Sequence, residues 1–210
     1  MNNTKERIIR ESAVLFAKKG CKSITMDDIA GAMGISKRTI YENFSDKKDL
    51  LTQSLEYFFQ LRENMINNAL QSSHNIIEAM FQSTQCHSEF MREIKFDFFN
   101  ETQKYFPDVY AATIQKFKQE SFDSGVKMLK KGQKDGLFRE DLDPELIIVL
   151  IQTIINMTLT QDIFAPYNYD KALIIHSFMF NYVRGIATEK GLKILDQYLD
   201  MYIENTKKLS

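Results

Sequence analysis

The chain has 210 residues, 44% hydrophobic and 26% charged, a balance that argues against disorder and allows one domain or a small one joined to a larger one. Three prolines and eight glycines are too few for a many-turned β architecture and favour long helices. Net charge is −1, but residues 1–50 carry ten Lys/Arg against seven Asp/Glu, leaving that segment at +3 and the remainder at −4. A basic end on an acidic body is the asymmetry expected when one end meets a polyanion.

Two cysteines, Cys21 and Cys86, make no disulfide framework and read as reduced thiols. The longest apolar run, Leu146–Leu159, is interrupted by Gln152, Thr153 and Asn156 and is too short to span a bilayer. No basic segment followed by an apolar core opens the chain, so secretion is not expected. The expectation is a soluble, cytoplasmic, all-α protein without a membrane partner.

In chain order, a first helix is expected from Thr4 to Lys19, with Ile9, Ala13, Phe16 and Ala17 on one face. Gly20 follows Lys18–Lys19 as a natural stop. Thr25 caps a second helix whose Asp27 and Asp28 suit the positive end of the dipole. Met26, Ile29, Ala30 and Met33 are its apolar stripe, and Gly34 ends it. Ser36 caps a third short helix, Lys37–Phe44, and Ser45–Asp46 break and recap the chain before a long helix from Lys47.

Two short helices joined by a glycine-bearing turn and preceded by a supporting helix form a helix-turn-helix pattern. Ile29, Ala30, Ile35, Ile40 and Phe44 can make its small core. Lys37, Arg38, Tyr41 and Asn43 then lie on the outer face of the second helix, as entry into a DNA major groove requires.

The string Ile24-Thr-Met-Asp-Asp-Ile-Ala30, with Met33-Gly-Ile-Ser-Lys-Arg-Thr-Ile-Tyr41 and Asn43-Phe-Ser-Asp-Lys47, closely resembles the N-terminal domain of the TetR (tetracycline repressor) family. Ala13-Val-Leu-Phe-Ala-Lys-Lys-Gly20 resembles that family's first helix, so the likeness covers roughly residues 4–52. The resemblance implies base contacts for Lys37 and Arg38, and phosphate contacts for Thr39, for Thr25 and for Lys47 at the start of the fourth helix. It implies a backbone or thymine-methyl contact for Tyr41, and Ser36 completes the expected DNA-binding set. Asn43 replaces a frequent histidine and Glu42 a frequent aromatic; Glu42, which phosphate would repel, is expected off the DNA face.

Beyond residue 48 no linker interrupts the helical pattern. Helices are expected at about 47–70, 75–100, 107–132 (opened by Pro107), 144–163, 170–188 and 191–207, for about nine in total. Gly136–Pro144 and Gly185–Gly191 also look like regulatory domains of the family. The organisation expected is therefore a DNA-binding domain at 1–48, with its motif at about 25–44, continuous with a ligand-binding and dimerisation domain at 49–210.

Abundant rings and methionines suit a cavity for an apolar or amphipathic small molecule. Its expected lining is Phe58, Leu61, Met65, Phe81, Phe99, Tyr110, Phe117 and Met157. Leu173, Ile174, Phe178, Met179, Tyr182 and Val183, with Leu192, Leu195, Tyr198, Leu199 and Tyr202, leave the last two helices too apolar for a monomer. The resemblance implies a homodimer through those two helices.

The three histidines are scattered, no Cys-x₂-Cys pair occurs, and no phosphate loop or nucleophile elbow is present, so neither a metal site nor catalysis is expected. No cofactor is expected beyond an effector of unknown identity. The reading is a ligand-responsive, homodimeric repressor acting on a palindromic operator in double-stranded DNA. The alternative is a helical binding or scaffolding module in which Lys37 and Arg38 are merely solvated.

Overall fold

The computed structural model describes residues 3–83, 98–160, 164–167, 169 and 171–198. Among them the chain is helical: α1 (Asn3–Lys19), α2 (Met26–Met33), α3 (Lys37–Tyr41), α4 (Lys47–Ser72), α5 (76–83), α6 (Phe98–Tyr105), α7 (Pro107–Lys134), α8 (Pro144–Thr160), α9 (Lys171–Ile186) and α10 (Glu189–Gln197). A 3₁₀ turn covers Ala165–Tyr167. The all-α expectation holds, and ten α-helical segments stand among the described residues where about nine were expected. The expected helix at 75–100 is helical at 76–83 and again from Phe98, while 84–97 lie outside the described residues, as do Leu199 and Tyr202 of the last helix. No helix among the described residues is long and apolar enough to cross a membrane.

The chain forms two compact units: Met1–Asn64 with Arg92–Phe117, and Met65–Met91 with Lys118–Ser210. Besides α1–α3, the first unit takes in α4 as far as Asn64, α6 and the start of α7.

In the first unit, α1 buries Ile8, Ser12, Ala13, Phe16 and Ala17, whereas Ile9 is only half-buried. The stripe is therefore turned from the expected one, because α1 packs against both α2 and α6 and its two-sided contact favours the Ile8 side. Gly20 adopts φ 83° after the last turn, its N–H bonding to the Phe16 carbonyl at 2.8 Å. Ile29, Ile40, Phe44, Leu50, Leu51 and Leu55 are essentially inaccessible. They form the core that fixes α2, α3 and the start of α4, each worth roughly 1.5–3 kcal/mol on burial. Ile35 stays half-buried, at the rim of that core.

In the second unit, Val126, Leu129, Phe138, Ile148, Ile151 and Phe180 belong to one buried cluster. Gly125 lets α7 approach Ile148 of α8, and a Cβ at Gly132 would collide with the Phe138 ring. Gly136 turns the chain at φ 69°, after which Phe138 makes an isolated antiparallel bridge with Ala187. Thr188 caps α10, whose Gly191 and Leu195 are buried.

Candidate nucleic-acid interface

The α2–turn–α3 segment is built by local chemistry. Thr25 accepts from the Asp28 N–H at 3.2 Å while the Asp28 carboxylate accepts from the Thr25 N–H at 2.8 Å and hydroxyl at 2.6 Å, a reciprocal capping box. These bonds hold the Asp28 carboxyl below its ordinary range, the Thr25 hydroxyl first and its N–H second. Gly34 ends α2 at φ 65°, and the Ile35 N–H reaches back to the Ala30 carbonyl at 3.1 Å. This left-handed closure suits glycine because no Cβ meets the following carbonyl. Ser36 then caps α3 through the Thr39 N–H at 3.1 Å.

The reading helix ends earlier than Phe44. Regular α3 stops at Tyr41, and the Asn43 and Phe44 N–H groups both converge on the Ile40 carbonyl at 3.0 and 2.9 Å. The Asn43 amide donates to the Thr39 carbonyl at 2.8 Å; it ties down the helix end from a half-buried position.

On the outer face, Lys37 Nζ lies 2.8 Å from an Asp27 oxygen, and this bond raises the Lys37 pKa above its usual value. Arg38 donates to Glu42 at 2.9 Å. Glu42 therefore shares a side of the helix with Arg38, since residues four apart stack one above the other. The Tyr41 ring is 48% exposed, with Lys37 Nζ 5.9 Å from its centre. The Thr39 and Ser36 hydroxyls are 2.9 Å apart. Lys37, Arg38, Thr39 and Tyr41 thus come together on one short capped helix.

Two expected phosphate ligands have partners within the protein. Thr25 is engaged by its capping box. Lys47 is half-buried, donates to the Lys22 carbonyl at 3.1 Å and stands 5.4 Å from the Phe106 ring centre; burial lowers its pKa. Neighbouring Lys48 is paired with Asp108 at 2.7 Å. Sequence reading missed Lys22, Asp27, Glu101 and Asp108 as partners; only the four-residue spacing of Arg38 and Glu42 could have signalled a pairing.

The expected pocket residues fall into both units. In the first, Phe58 is buried and edge-on to Phe98 at 6.1 Å, and Phe98 lies 5.2 Å from Phe99. Phe59 stacks on Phe117 at 4.1 Å, with the Arg62 guanidinium 4.8 Å over that ring. Leu61 and Tyr110 are half-buried, and burial raises the Tyr110 pKa. In the second, Phe81 stacks on Tyr198 at 5.6 Å and meets Phe180 edge-on at 5.8 Å, packed against the core; Met65 and Met157 are half-buried. A separate small crevice of about 10 Å³, lined by Leu129, Phe138, Leu142 and Ile147 among others, holds none of the expected residues. No cluster of three metal-ligating side chains occurs among the described residues.

Residues 8–53 match the family described as bacterial regulatory proteins, tetR family. The chain is 44% identical over 68 residues to the HTH-type transcriptional regulator YerO of Bacillus subtilis, covering 32% of this chain and 24% of that one. It is 25% identical over 189 residues to YvaF of the same organism, covering 88% and 96%. Over 78 residues it is 35% identical to IcaR of Staphylococcus aureus, the negative transcriptional regulator of the biofilm operon icaADBC, covering 37% and 42%. The matches to YerO and IcaR thus span about a quarter and two fifths of those proteins. Among solved structures, a TetR-family regulator from Cytophaga hutchinsonii superposes with a TM-score of 0.73 at 18% identity, covering 90% of this chain and 96% of that one. The fatty acid degradation regulator FadR from Bacillus halodurans gives 0.70 at 17%, covering 87% and 96%. At these identities the likeness is one of fold.

Proposed function

We propose that this chain, whose residues 8–53 match the TetR family of bacterial regulatory proteins, is a DNA-binding regulator of that kind: a cytoplasmic homodimeric repressor released from a palindromic operator by a small-molecule effector. The observation that carries the DNA-binding part is the capped α3 helix, braced on α2 through the Gly34 turn, with Lys37, Arg38, Thr39 and Tyr41 on its outer side. A helix of this kind enters a major groove N-terminus first, and two-fold symmetry asks for half-sites ~34–36 Å apart or multiples of that. Lys37 and Arg38 are assigned to base edges, Thr39 to phosphate, and Tyr41 to the DNA backbone or a thymine methyl. IcaR, a negative regulator, supports repression.

The dimer reading rests on the second unit. On α8, Leu146, Val149 and Leu150 are 56%, 48% and 45% exposed at spacings of three and four, an apolar stripe that soluble monomers avoid. On α9, Ile174, Phe178 and Tyr182 are half-buried, and Gly185 faces open space. The described part of α10 turns Leu195 inward and leaves Glu189, Lys190, Lys193 and Asp196 exposed. Of the last two helices, α9 is therefore assigned the central place, with α8 beside it.

Effector response is assigned to the ring-lined segments around Phe58, Phe99, Tyr110 and Phe117. An effector shifts the equilibrium only by its differential affinity for the DNA-competent and incompetent states, so operator and effector must weaken each other equally. Selection of random duplex DNA by the purified protein, followed by salt-titrated binding, tests the whole reading. One palindrome bound by a dimer with a steep salt slope supports it. Absence of enrichment, in ligand-free protein shown to be folded, would favour a scaffolding module.

A further inference from the structure

Asp27 and Asp28 stand side by side at the start of α2 and do different things. Asp28 is committed to the Thr25 capping box. Asp27 reaches instead to the other helix of the motif: both of its carboxylate oxygens meet Lys37 Nζ, Oδ1 at 2.8 Å and Oδ2 at 3.0 Å. The pair is open to solvent, with 54% of the Lys37 side chain and 64% of the Asp27 side chain exposed. The Tyr41 ring centre lies 5.9 Å from the same ammonium, so Asp27 joins Lys37 and Tyr41 on the surface that α3 presents. An exposed ion pair contributes little to stability, and Asp28 already supplies a negative charge to the first turn of α2.

We propose that Asp27 is a specificity-determining residue: together with Lys37 it reads one G·C pair, Lys37 donating to guanine and Asp27 accepting from the N4 amine of the paired cytosine. The assignment rests on the DNA-binding reading above and adds a reader from α2 to those of α3. Guanine O6 and cytosine N4 of one base pair are hydrogen-bonded to each other, which puts an acceptor and a donor about 2.9 Å apart on the major-groove edge. Lys37 Nζ and the Asp27 oxygens offer a donor and an acceptor 2.8 and 3.0 Å apart, the complementary order at the same separation. Neither must leave the other to bind. An ammonium has three N–H donors and a carboxylate about four lone-pair sites, so the ion pair persists while each side makes a further bond. Asp27 also meets the phosphates as half of a neutral pair, which a lone carboxylate would not. An A·T pair offers thymine O4 and adenine N6 in the same order. Guanine, however, adds N7 as a second acceptor near O6, whereas thymine carries its C5 methyl beside O4. The ammonium therefore favours guanine.

The test uses the full chain, unsubstituted and as Asp27→Ala and Asp27→Asn, on the duplex selected from random DNA. That duplex should hold one fixed G·C pair per half-site, at which inversion or a change to A·T costs the unsubstituted protein about tenfold. Asp27→Ala should bind the selected duplex about tenfold more weakly and lose its preference at that pair alone. Asp27→Asn, which keeps one acceptor oxygen, should retain part of the preference. Placing N4-methylcytosine at that position separates reading from bracing of Lys37, because the methyl takes the major-groove hydrogen of the amine and leaves guanine O6 and N7 untouched. It should weaken the unsubstituted protein about tenfold and leave Asp27→Ala unaffected. An equal effect of the methyl on both proteins overturns the assignment. So does a loss in Asp27→Ala spread evenly over all base variants, which would make the ion pair a brace between the helices, or a selected half-site without a fixed G·C pair. Each of these outcomes leaves the DNA-binding reading standing. If folded protein selects no duplex, that reading falls and the assignment with it.

Discussion

Arg38 donates from Nε to Glu42 Oε1 at 2.9 Å, one helical turn along, with the two side chains 88% and 56% exposed. An exposed pair of this kind contributes up to about 1 kcal/mol and is screened by salt. Glu42 both competes for Arg38 and repels phosphate. Glu42→Gln should therefore tighten binding to non-specific duplex about two- to fivefold at low salt, with the gain fading as salt rises. Fluorescence anisotropy across a salt series measures this; equal affinities at low salt would mean that Arg38 already leaves Glu42 on DNA.

Arg38→Ala should weaken operator binding by about 1–3 kcal/mol and relax preference at one base position, if the guanidinium reads guanine with two bonds. Competition against single-base operator variants is the measurement. A loss spread evenly over all variants would reassign Arg38 to phosphate.

Thr25→Ala removes the capping box of α2 and should cost about 1 kcal/mol of stability. The acid limb of the stability curve should change with it. The folded Asp28 carboxyl titrates below its ordinary value, so its contribution is complete above the unfolded value and is lost as pH falls through the folded one. In Thr25→Ala that carboxyl returns toward the ordinary range, and the decline between about pH 5 and pH 2 should flatten. Urea unfolding at several pH values decides; parallel acid limbs would exclude the bond as the cause.

Leu150→Asp introduces a charge into the exposed stripe of α8. In a dimer held by α8 and α9 it should yield monomers and weaken operator binding by at least tenfold, because a buried unpaired charge costs several kcal/mol. Analytical ultracentrifugation reads the first effect. A dimer of undiminished affinity would move the interface elsewhere.

His176 is 4% exposed on α9, and burial lowers its pKa. Protonation is easier in the unfolded chain, so stability is full above the unfolded value near 6.5 and falls as pH drops below it. Thermal unfolding should show a falling Tm between about pH 7 and pH 5, and His176→Leu should reduce that slope. A steeper slope in the variant would contradict the assignment.

The N-terminal motif was legible because its determinants are short-range. Thr25 and Ser36 cap within three residues, and Gly34 has the freedom a left-handed closure needs. Pro107 opens α7 where a missing N–H costs nothing, the Tyr110 N–H bonding back to the Phe106 carbonyl at 2.9 Å. The rotational phase of α1 was not legible in the same way. Ile8 and Ile9 are equally apolar, and the choice between them came from α2 and α6 packing on the helix together.

What the sequence by itself determined was the helical class, the Thr25 and Ser36 caps that start α2 and α3, and the Gly20 and Gly34 stops, since each depends on neighbours within about one helical turn. Only the tertiary structure decided which charge meets which. Asp27 reaches Lys37 across the turn, Asp108 reaches Lys48 across 60 residues, and Glu101 reaches the Lys22 backbone across 79. Such bonds require side chains from distant elements to meet within about 3 Å. That distance is set by how the buried faces pack, and a cation's spacing along the chain carries no record of it.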